Sequence, residues 1–379
     1  MSNILLYQPY YHFPGHFKTQ FHAFRKGLKE IGFTCIGVVG LWHPDKIEKS
    51  DDIFSFHYKT QSDTFRIFAN ILGLSRVRHI LMQESITSIH FLDIEIFHLF
   101  IFLFFNRSTV KHTRIIVTQH SINRLQNQTS FIFSSLYKWV IRRSYTYIEK
   151  NFDLKVLTNG RNITRWLINE NFLEPATITT TWWASQFEVK EIDWSLKNPG
   201  SLLFYGIIRK DKNIEYLLKS VSEADQSLRL HIAGYPIDYS ERQLHDLLNK
   251  YELSDAQVTL ELGYLSEQRI AELLRFSSFI ILPYSDKNLS NSGPLIDAIQ
   301  FGCIPVASGY GERYEFINFF DAGYLFYFDR SPTLKDLLSE HLQNSESNTH
   351  YRETLSKIRK QFTWEWIIRD LVLNRVIYR

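Results

Sequence analysis

The chain has 379 residues, of which 44% are hydrophobic and 22% charged, so it is long enough for two globular domains and too apolar for an intrinsically disordered protein. Its net charge of +3 is too small to indicate a nucleic-acid-binding protein. The two cysteines, Cys35 and Cys303, lie in apolar runs, and we expect them to be buried thiols of a reducing compartment. The first residues contain neither the basic region nor the cleavage site of a signal peptide, which predicts a cytoplasmic protein.

The first half of the chain begins with a strand, a helix and a second strand. A short apolar run covers residues 4–7, and an amphipathic stripe follows at spacings of three and four: Phe17, Phe21, Phe24, Leu28 and Ile31. Gly32 ends this predicted helix before a strand over residues 33–39. Further strands are predicted at residues 88–91, 115–118, 154–157 and 176–180, with helices between them that include residues 134–147 and 162–169. This alternation is typical of a parallel sheet covered by helices.

The most apolar segment of the chain is residues 94–105, which include Glu95 and His98. It is shorter than the roughly 20 residues that a helix needs to cross a bilayer. We predict a buried helix, and a helix that dips into a membrane surface is the alternative. Basic residues accompany aromatic ones in this half of the chain: Arg66, Arg76, Arg78, Lys138, Arg142 and Arg143. Two interpretations are open. Such a surface contacts an anionic membrane, which for a cytoplasmic protein is the inner face of the plasma membrane, or it is an ordinary solvated helix face.

The alternation of strands and helices starts again after a linker over residues 183–199. A strand near residue 202 is followed by Arg209, Lys210 and Lys212, directly before a predicted helix. Cations and free backbone N–H groups at a helix N-terminus favour the binding of a diphosphate. Lys210 is expected to be the exposed cation of the three.

A second helix start follows the strand predicted at residues 279–283. Ser292 is a typical N-cap and Pro294 a typical first-turn residue. Between them, Gly293 has no Cβ, which lets a phosphate group approach the backbone closely.

The two halves predict an α/β protein with two doubly wound, Rossmann-like domains that face a central cleft. We place the domains at residues 1–184 and 185–362, with a C-terminal helix over residues 363–379 that crosses back to the first domain. In such sheets, ligands bind beyond the carboxyl ends of the strands.

Several segments of the second half resemble the retaining glycosyltransferases of the GT-B fold, a group that includes many bacterial polysaccharide and lipopolysaccharide sugar transferases (glycosyl transferases group 1). Residues 204–212 look like the phosphate-binding segment of that family, and residues 230–234 and 258–274 look like the units that follow it. Residues 292–306 with Glu315 look like the donor-binding helix, the next strand and an acidic residue beyond it. The sequence departs from the family where Leu289 replaces the first of two glutamates, and Asp297 replaces the second.

The resemblance implies a role for each candidate residue. The catalytic residues are then Arg209, Lys212 and His120, with the two cations stabilising the leaving diphosphate in place of a metal ion. The donor-binding residues are Gly15, Ser292, Gly293, Asp297 and Glu315, with Asp297 near the ribose. Residues expected to face the acceptor are His16, His90 and Asp93.

The implied activity is transfer of a sugar from a nucleotide-diphosphate donor to a hydroxyl group of a glycan or lipid-linked glycan, with retention of configuration and without a cofactor or metal. Two other functions are compatible with the same scaffold. One is a sugar-nucleotide epimerase, which needs an acid–base pair that the sequence does not reveal. The other is a noncatalytic glycan-binding or scaffold protein, which would explain the missing first glutamate.

Overall fold

The computed structural model describes residues 3–12, 17–42, 52–58, 63–120, 131–188, 191–224, 227–286, 288, 291–341, 345–375 and 377–378. The chain divides into two compact units, Met1–Trp182 together with Trp364–Arg379, and Trp183–Thr363. The predicted boundaries, after residues 184 and 362, lie close to these. None of the helices formed by the described residues is both long and apolar enough to span a bilayer.

The first unit is a parallel sheet of seven strands with helices between them. Its strands are β1 (Asn3–Gln8), β2 (Thr34–Trp42), β3 (Ile53–Tyr58), β4 (Ile86–Phe91), β5 (Arg114–Gln119), β6 (Leu154–Asn159) and β7 (Ile178–Thr181). Its helices before the second unit are α1 (Phe17–Glu30), α2 (Asp63–Gln83), α3 (Ile96–Phe105), α4 (Arg107–Val110), α5 (Phe131–Asn151) and α6 (Arg161–Asn169). The strand order is β3-β2-β1-β4-β5-β6-β7, and every neighbouring pair is parallel.

The second unit is a parallel sheet of six strands. Its strands are β8 (Asn198–Tyr205), β9 (Arg229–Gly234), β10 (Val258–Leu262), β11 (Ser277–Leu282), β12 (Ile304–Ser308) and β13 (Tyr324–Phe326). Its helices are α7 (Ile214–Ser222), α8 (Glu241–Lys250), α9 (Glu267–Phe276), α10 (Gly293–Gln300), α11 (Gly311–Phe320), α12 (Leu334–Asp336) and α13 (Ser345–Ile358). The order β10-β9-β8-β11-β12-β13 is parallel throughout.

Both sheets reverse their order beside the first strand, between β1 and β4 and between β8 and β11. This is the doubly wound arrangement, so the fold class predicted from the sequence is confirmed. Strands β11 and β12 are buried along their whole length, as expected where helices cover both faces of a sheet. The loops that leave β8 and β11 lie at the same edge of the second sheet, and this position defines where a ligand is expected.

The helical stripe predicted in the first unit is confirmed at its centre. Phe21, Phe24 and Leu28 of α1 are buried against the sheet. On the same helix, a Cβ added at Gly27 would lie 2.8 Å from the side chain of Ile368, in the C-terminal helix α14 (Trp364–Arg369). The glycine therefore allows α14 to pack closely on α1 within the first unit.

Two features of the first unit differ from the expectations. Strand β3 and helix α2 were not located from the sequence, and the helix has a weak apolar periodicity. Helix α3 forms where a buried helix was predicted, but only one side of it is buried: Leu99 and Leu103 are inaccessible, whereas Phe104 and Phe105 are 50% and 78% exposed. Both cysteines are buried thiols, as expected.

Candidate active site in the second unit

Lys212 is a buried cation at the carboxyl edge of the second sheet. Only 8% of the residue is exposed, and its ammonium nitrogen lies 4.8 Å from the ring centroid of Tyr284 and 5.8 Å from that of Phe204. A Cβ built at Gly206 would lie 3.4 Å from that nitrogen and 3.6 Å from Pro294 Cγ, so the ammonium group lies beside the start of α10. Among the described residues, no carboxylate forms an ion pair with Lys212.

Arg313 is a second buried cation at the same edge, and it was not among the residues predicted from the sequence. It is fully inaccessible, with its guanidinium carbon 4.6 Å from the ring centroid of Tyr284, and it donates a 2.7 Å hydrogen bond to the carbonyl oxygen of Asn288. Burial lowers the pKa of Arg313 to about 10, so the side chain stays protonated at neutral pH. Lys212 and Arg313 therefore place two positive charges around one aromatic ring.

Arg209 lies in the same loop, but it is engaged by a neighbouring carboxylate. Its guanidinium donates two hydrogen bonds to Asp211, of 3.0 and 2.8 Å. Asp211 also accepts a 2.9 Å bond from the amide of Asn288, and its carbonyl oxygen accepts one of 2.8 Å from the backbone N–H of Ser285. Asp211 thus joins the loop after β8 to the loop after β11 while it pairs with Arg209, and Lys210 is exposed as expected.

The N-terminus of α10 has the predicted form. Ser292 is its N-cap, and the Ser292 hydroxyl accepts a 3.4 Å hydrogen bond from the backbone N–H of Leu295. A Cβ added at Gly293 would meet no atom within 4 Å, so the space in front of the first turn is open. An anion at this position would meet the positive end of the helix dipole and the Lys212 ammonium together.

Asp297 is not placed to bind a ribose, in contrast to the expectation from the sequence. It is 5% exposed and accepts four hydrogen bonds from protein donors: the hydroxyls of Ser185 (2.6 Å) and Tyr205 (2.6 Å), and the backbone N–H and side-chain amide of Gln186 (3.2 and 3.3 Å). The carboxylate therefore joins the segment before β8 to α10. Its shorter side chain fits a structural contact and does not reach towards a ligand.

The buried position of Asp297 predicts a pH-dependent stability. Burial raises its pKa from 3.8 to about 6, although the hydroxyls of Ser185 and Tyr205 and the amides of Gln186 lower it. The folded state therefore holds a proton that the unfolded state releases between about pH 4 and pH 6, so this group destabilises the fold as the pH rises through that window. Relative to Asp297→Asn, we expect wild-type stability to fall by about 2 kcal/mol between pH 4 and pH 7.

Denaturant unfolding of the two proteins across this pH range measures that difference. Because the Asn variant cannot titrate at position 297, every other ionisable group cancels in the comparison. An offset between the two curves that stays constant with pH would show that Asp297 does not titrate in this way.

Glu315 lies on α11, two positions after Arg313, and is half-buried. The structure thus brings one predicted acidic residue onto the same helix as a buried cation. Its contact with a donor remains a prediction.

A pair of exposed tyrosines stands at the same edge of the sheet. Tyr235 follows β9 and Tyr264 follows β10, and their rings stack with a centroid distance of 4.4 Å and an interplanar angle of 15°. They are 41% and 74% exposed. The Tyr235 segment is hydrogen-bonded to the loop of Arg209, through the backbone N–H of Ile208 to the carbonyl oxygen of Tyr235 at 2.9 Å. We call these two stacked rings the platform. It is therefore joined by a backbone hydrogen bond to the loop that carries Arg209 and Lys212.

The candidate residues of the first unit occupy the ends of β4 and β5. A ring nitrogen of His120, directly after β5, is 2.7 Å from the carbonyl oxygen of Leu92, next to half-buried Asp93. Burial lowers the pKa of His120 to about 4, so its imidazole is neutral at physiological pH. The structure therefore places His120 against the backbone just after β4, and Asp93 is the residue that follows Leu92 in the chain.

His90 does not face an acceptor, contrary to the expectation from the sequence. It is fully buried, and its two ring nitrogens lie 2.6 Å from the hydroxyl of Tyr378 and 2.8 Å from that of Thr118. Burial lowers its pKa to about 3, which keeps it neutral. It ties the C-terminal segment to the sheet of the first unit. Gly15 and His16, also predicted from the sequence, lie outside the described residues.

Within the part of the chain that the structure describes, no three histidine, cysteine, aspartate or glutamate side chains converge in a way that would hold a metal ion. The charged groups at the carboxyl edge of the second sheet include two buried cations, Lys212 and Arg313, together with the ion pair of Arg209 and Asp211. This arrangement suits a polyanionic ligand such as a diphosphate.

Comparison with solved structures places the whole chain in one fold. Anabaena HepE, solved in complex with UDP and glucose, superposes with a TM-score of 0.69 over 99% of each chain at 12% identity. WaaG, described as a glycosyltransferase involved in lipopolysaccharide biosynthesis, superposes with a TM-score of 0.64 over 98% of this chain and 100% of its own, at 13% identity. The fold is GT-B.

Sequence comparisons agree with this assignment. The model of the family described as glycosyl transferases group 1 matches residues 187–358, which lie in the second unit. A GDP-mannose:glycolipid 4-beta-D-mannosyltransferase of Xanthomonas campestris pv. campestris is 33% identical over 103 residues. That alignment covers 27% of this chain and 28% of the relative. The match to the glycosyltransferase family thus coincides with the unit that carries Lys212 and Arg313.

Proposed function

We propose that the protein is a glycosyltransferase that moves a sugar from a nucleoside diphosphate donor to a hydroxyl group of a glycan or lipid-linked glycan, in bacterial surface polysaccharide or lipopolysaccharide synthesis. The observation that carries this proposal is Lys212, a buried ammonium group with no carboxylate in ion-pair contact among the described residues. Burying a cation without a counter-charge is costly, and a bound anion removes that cost. The family match of the second unit and the UDP complex of a structural neighbour support the same ligand class.

The reaction needs negative charge to be stabilised as the bond between the sugar and the diphosphate breaks. Lys212 and Arg313 are preorganised for this task, because packing against Tyr284 fixes both cations before a ligand arrives. The backbone at Ser292 and Gly293 adds N–H groups at the start of α10. Arg209 contributes by pairing with Asp211, the residue that joins the two loops.

We propose that the two cations replace a metal ion, so that transfer proceeds in the presence of excess chelator. We also propose that the configuration of the sugar is retained, which is what the resemblance to the retaining enzymes implies. A beta linkage appears in the name of the Xanthomonas relative. The anomer of the product therefore tests retention directly, since an enzyme that forms a beta linkage from an alpha-linked donor inverts the configuration.

The acceptor is proposed to meet residues of the first unit. His120 lies at the end of β5 and Asp93 just after β4, and a neutral imidazole and a carboxylate each suit hydrogen bonding to sugar hydroxyls. We place the reaction at the cytoplasmic side of the membrane that carries the lipid-linked glycan.

The decisive experiment incubates the full chain with GDP-mannose and with UDP-glucose, the donors named for a relative and a structural neighbour, and with a lipid-linked glycan acceptor. We expect release of the nucleoside diphosphate together with a lengthened glycan, with and without chelator. Conversion of the donor to another sugar nucleotide, without release of the nucleoside diphosphate, would identify an epimerase. Glycan binding without any use of donor would identify a noncatalytic scaffold protein.

We further propose that the platform of Tyr235 and Tyr264 stacks on the nucleobase, because the platform lies along the sheet edge from the diphosphate site. We expect Tyr264→Ala to weaken nucleoside diphosphate binding about tenfold, since stacking on an aromatic side chain contributes about 1–3 kcal/mol per base. Titration calorimetry measures this, with Tyr264→Phe as the matched control that keeps the ring. The affinity for inorganic pyrophosphate should not change, and an equal loss for both ligands would contradict a base-stacking role.

A further inference from the structure

Helix α3 exposes a row of apolar side chains on one side. Four of its residues are between 37% and 78% exposed: Phe97, Ile101, Phe104 and Phe105. Neighbouring rings are in contact along the helix, with centroid distances of 6.3 Å for Phe97 and Phe100, 6.1 Å for Phe100 and Phe104, and 5.3 Å for Phe104 and Phe105. Single exposed apolar residues are ordinary on protein surfaces, whereas a contiguous patch marks an interaction site.

The patch continues onto helix α5. The ring of Tyr147 lies 5.1 Å from that of Phe100 and 5.8 Å from that of Phe104. On the same side of α5, at spacings of four and four, stand Arg143 and Trp139, and the Arg143 guanidinium lies 5.8 Å from the Trp139 ring centroid. Trp139 is 54% exposed. We call this surface of α3 and α5 the aromatic face.

The aromatic face belongs to a segment of uniform charge. Residues 96–148 contain seven lysines and arginines and no aspartate or glutamate. Among these cations, Arg107 and Lys111 directly follow α3 and are exposed, and exposed Arg143 lies within the face itself. Two carboxylates from outside this segment lie near it, Glu95 beside Tyr137 and Glu170 beside Arg142. An apolar surface with an excess of positive charge complements an anionic partner.

We propose that the aromatic face docks on the surface of an anionic phospholipid bilayer. Aromatic side chains are favoured at the boundary between headgroups and acyl chains, and cations beside them contact the lipid phosphates. Helix α3 has ten residues, so it can lie in that boundary and is too short to cross a bilayer. A second copy of this chain is the weaker candidate, because it would bring the same positive charges face to face.

This inference goes beyond the proposed function and does not depend on it, because binding to vesicles needs no nucleotide sugar. It gives the membrane-dipping alternative for residues 94–105 a physical basis. The buried side of α3 packs in the core of the first unit through Leu99 and Leu103, and the opposite side is left for lipid.

Vesicle flotation of the full chain tests the proposal. We expect the wild type to float with phosphatidylcholine vesicles that contain phosphatidylglycerol, and to float less without that lipid or at high salt. The double variant Phe104→Ser/Phe105→Ser should lose at least about tenfold in binding, because two large apolar side chains no longer leave water. Arg143→Glu should weaken binding to anionic vesicles and leave binding to neutral ones unchanged.

The matched control is Phe276→Ser, a phenylalanine of the second unit that is 44% exposed, and it should bind vesicles like the wild type. Unfolding midpoints show whether the variants fold, and Phe105→Ser alone serves if the double variant does not. A wild type that fails to float, or variants that float equally well, would overturn the proposal. Sedimentation that shows a dimer lost in the double variant, with no vesicle binding by the wild type, would assign the face to a second copy.

Discussion

Lys212→Met is expected to reduce sugar transfer by about a hundredfold or more, while the protein becomes no less stable. The first effect follows because removing one preorganised donor from a charge-stabilising site typically costs 10²–10³ in turnover. The second follows because Lys212 is 8% exposed and no carboxylate forms an ion pair with it among the described residues. Methionine keeps most of the volume beside Tyr284 and Phe204 and removes the buried charge.

The control for this prediction is Lys210→Ala, two positions earlier in the same loop. Lys210 is exposed, and its backbone N–H, which the substitution keeps, donates to Asp238 at 2.9 Å. We expect wild-type turnover from this variant. Steady-state kinetics with the donor, together with unfolding midpoints, separates the two roles of Lys212: a fall in midpoint with unchanged turnover would show that the residue is structural.

Measuring turnover and the unfolding midpoint together distinguishes a buried charge that serves function from a residue that serves packing. A residue selected for stability loses stability when it is replaced, whereas a charge held for ligand binding is a cost to the free protein. Burial lowers the pKa of Arg313, but nearby Asp211 and Glu312 offset part of that cost. Binding of a diphosphate should therefore raise the unfolding midpoint of the wild type more than that of Lys212→Met.

The sequence predicted the features of this protein that depend on neighbouring residues. Many of the strands and helices follow from local apolar periodicity, with β3 and α2 as exceptions, and the loop of Arg209 and Lys212 follows from cations before a helix start. The cap at Ser292 is equally local. Each of these signals is complete within about ten residues of the chain, so periodicity and start signals were sufficient to find them.

The features that the sequence did not reveal depend on contacts between distant residues. The partners of Asp297 include Ser185, 112 positions away, and Tyr205, 92 positions away, so nothing near Asp297 shows that its carboxylate is already satisfied. Arg313, on α11, acquires its role from Tyr284, which lies in the loop after β11. Helix α3 is apolar on every side, and periodicity therefore cannot tell which side faces solvent.

Gly234→Ala is expected to cause the largest loss of stability among single substitutions near the site. Gly234 has a φ of 145°, and a Cβ added there would lie 1.8 Å from the carbonyl oxygen of Gly206. The unfavourable backbone conformation costs about 1–3 kcal/mol. The overlap adds about 1–3 kcal/mol or more, because it is with backbone and no side-chain rotation relieves it.

Gly263→Ala is the matched control for this substitution. Gly263 follows the neighbouring strand with a φ of 131°, but a Cβ there meets no atom within 4 Å. Both variants place an alanine at a positive φ and share that cost. The difference between their free energies of unfolding of the second unit therefore isolates the cost of the overlap with Gly206. Denaturant unfolding measures it. Equal losses in the two variants would show that the loop after β8 moves freely away from Gly234.

Gly234→Ala and Gly263→Ala also test how the anion site at Lys212 depends on the loop after β8. Gly206 donates its backbone N–H to Ala233 at 3.0 Å, so the loop after β8 is held against the end of β9, with the Lys212 ammonium beside it. A methyl group at position 234 forces Gly206 away from this position. We therefore expect Gly234→Ala to weaken nucleoside diphosphate binding at least tenfold at temperatures where it is folded, and Gly263→Ala to bind almost as the wild type does. Titration calorimetry on both variants decides this, and wild-type affinity in folded Gly234→Ala would separate the glycine contact from the anion site.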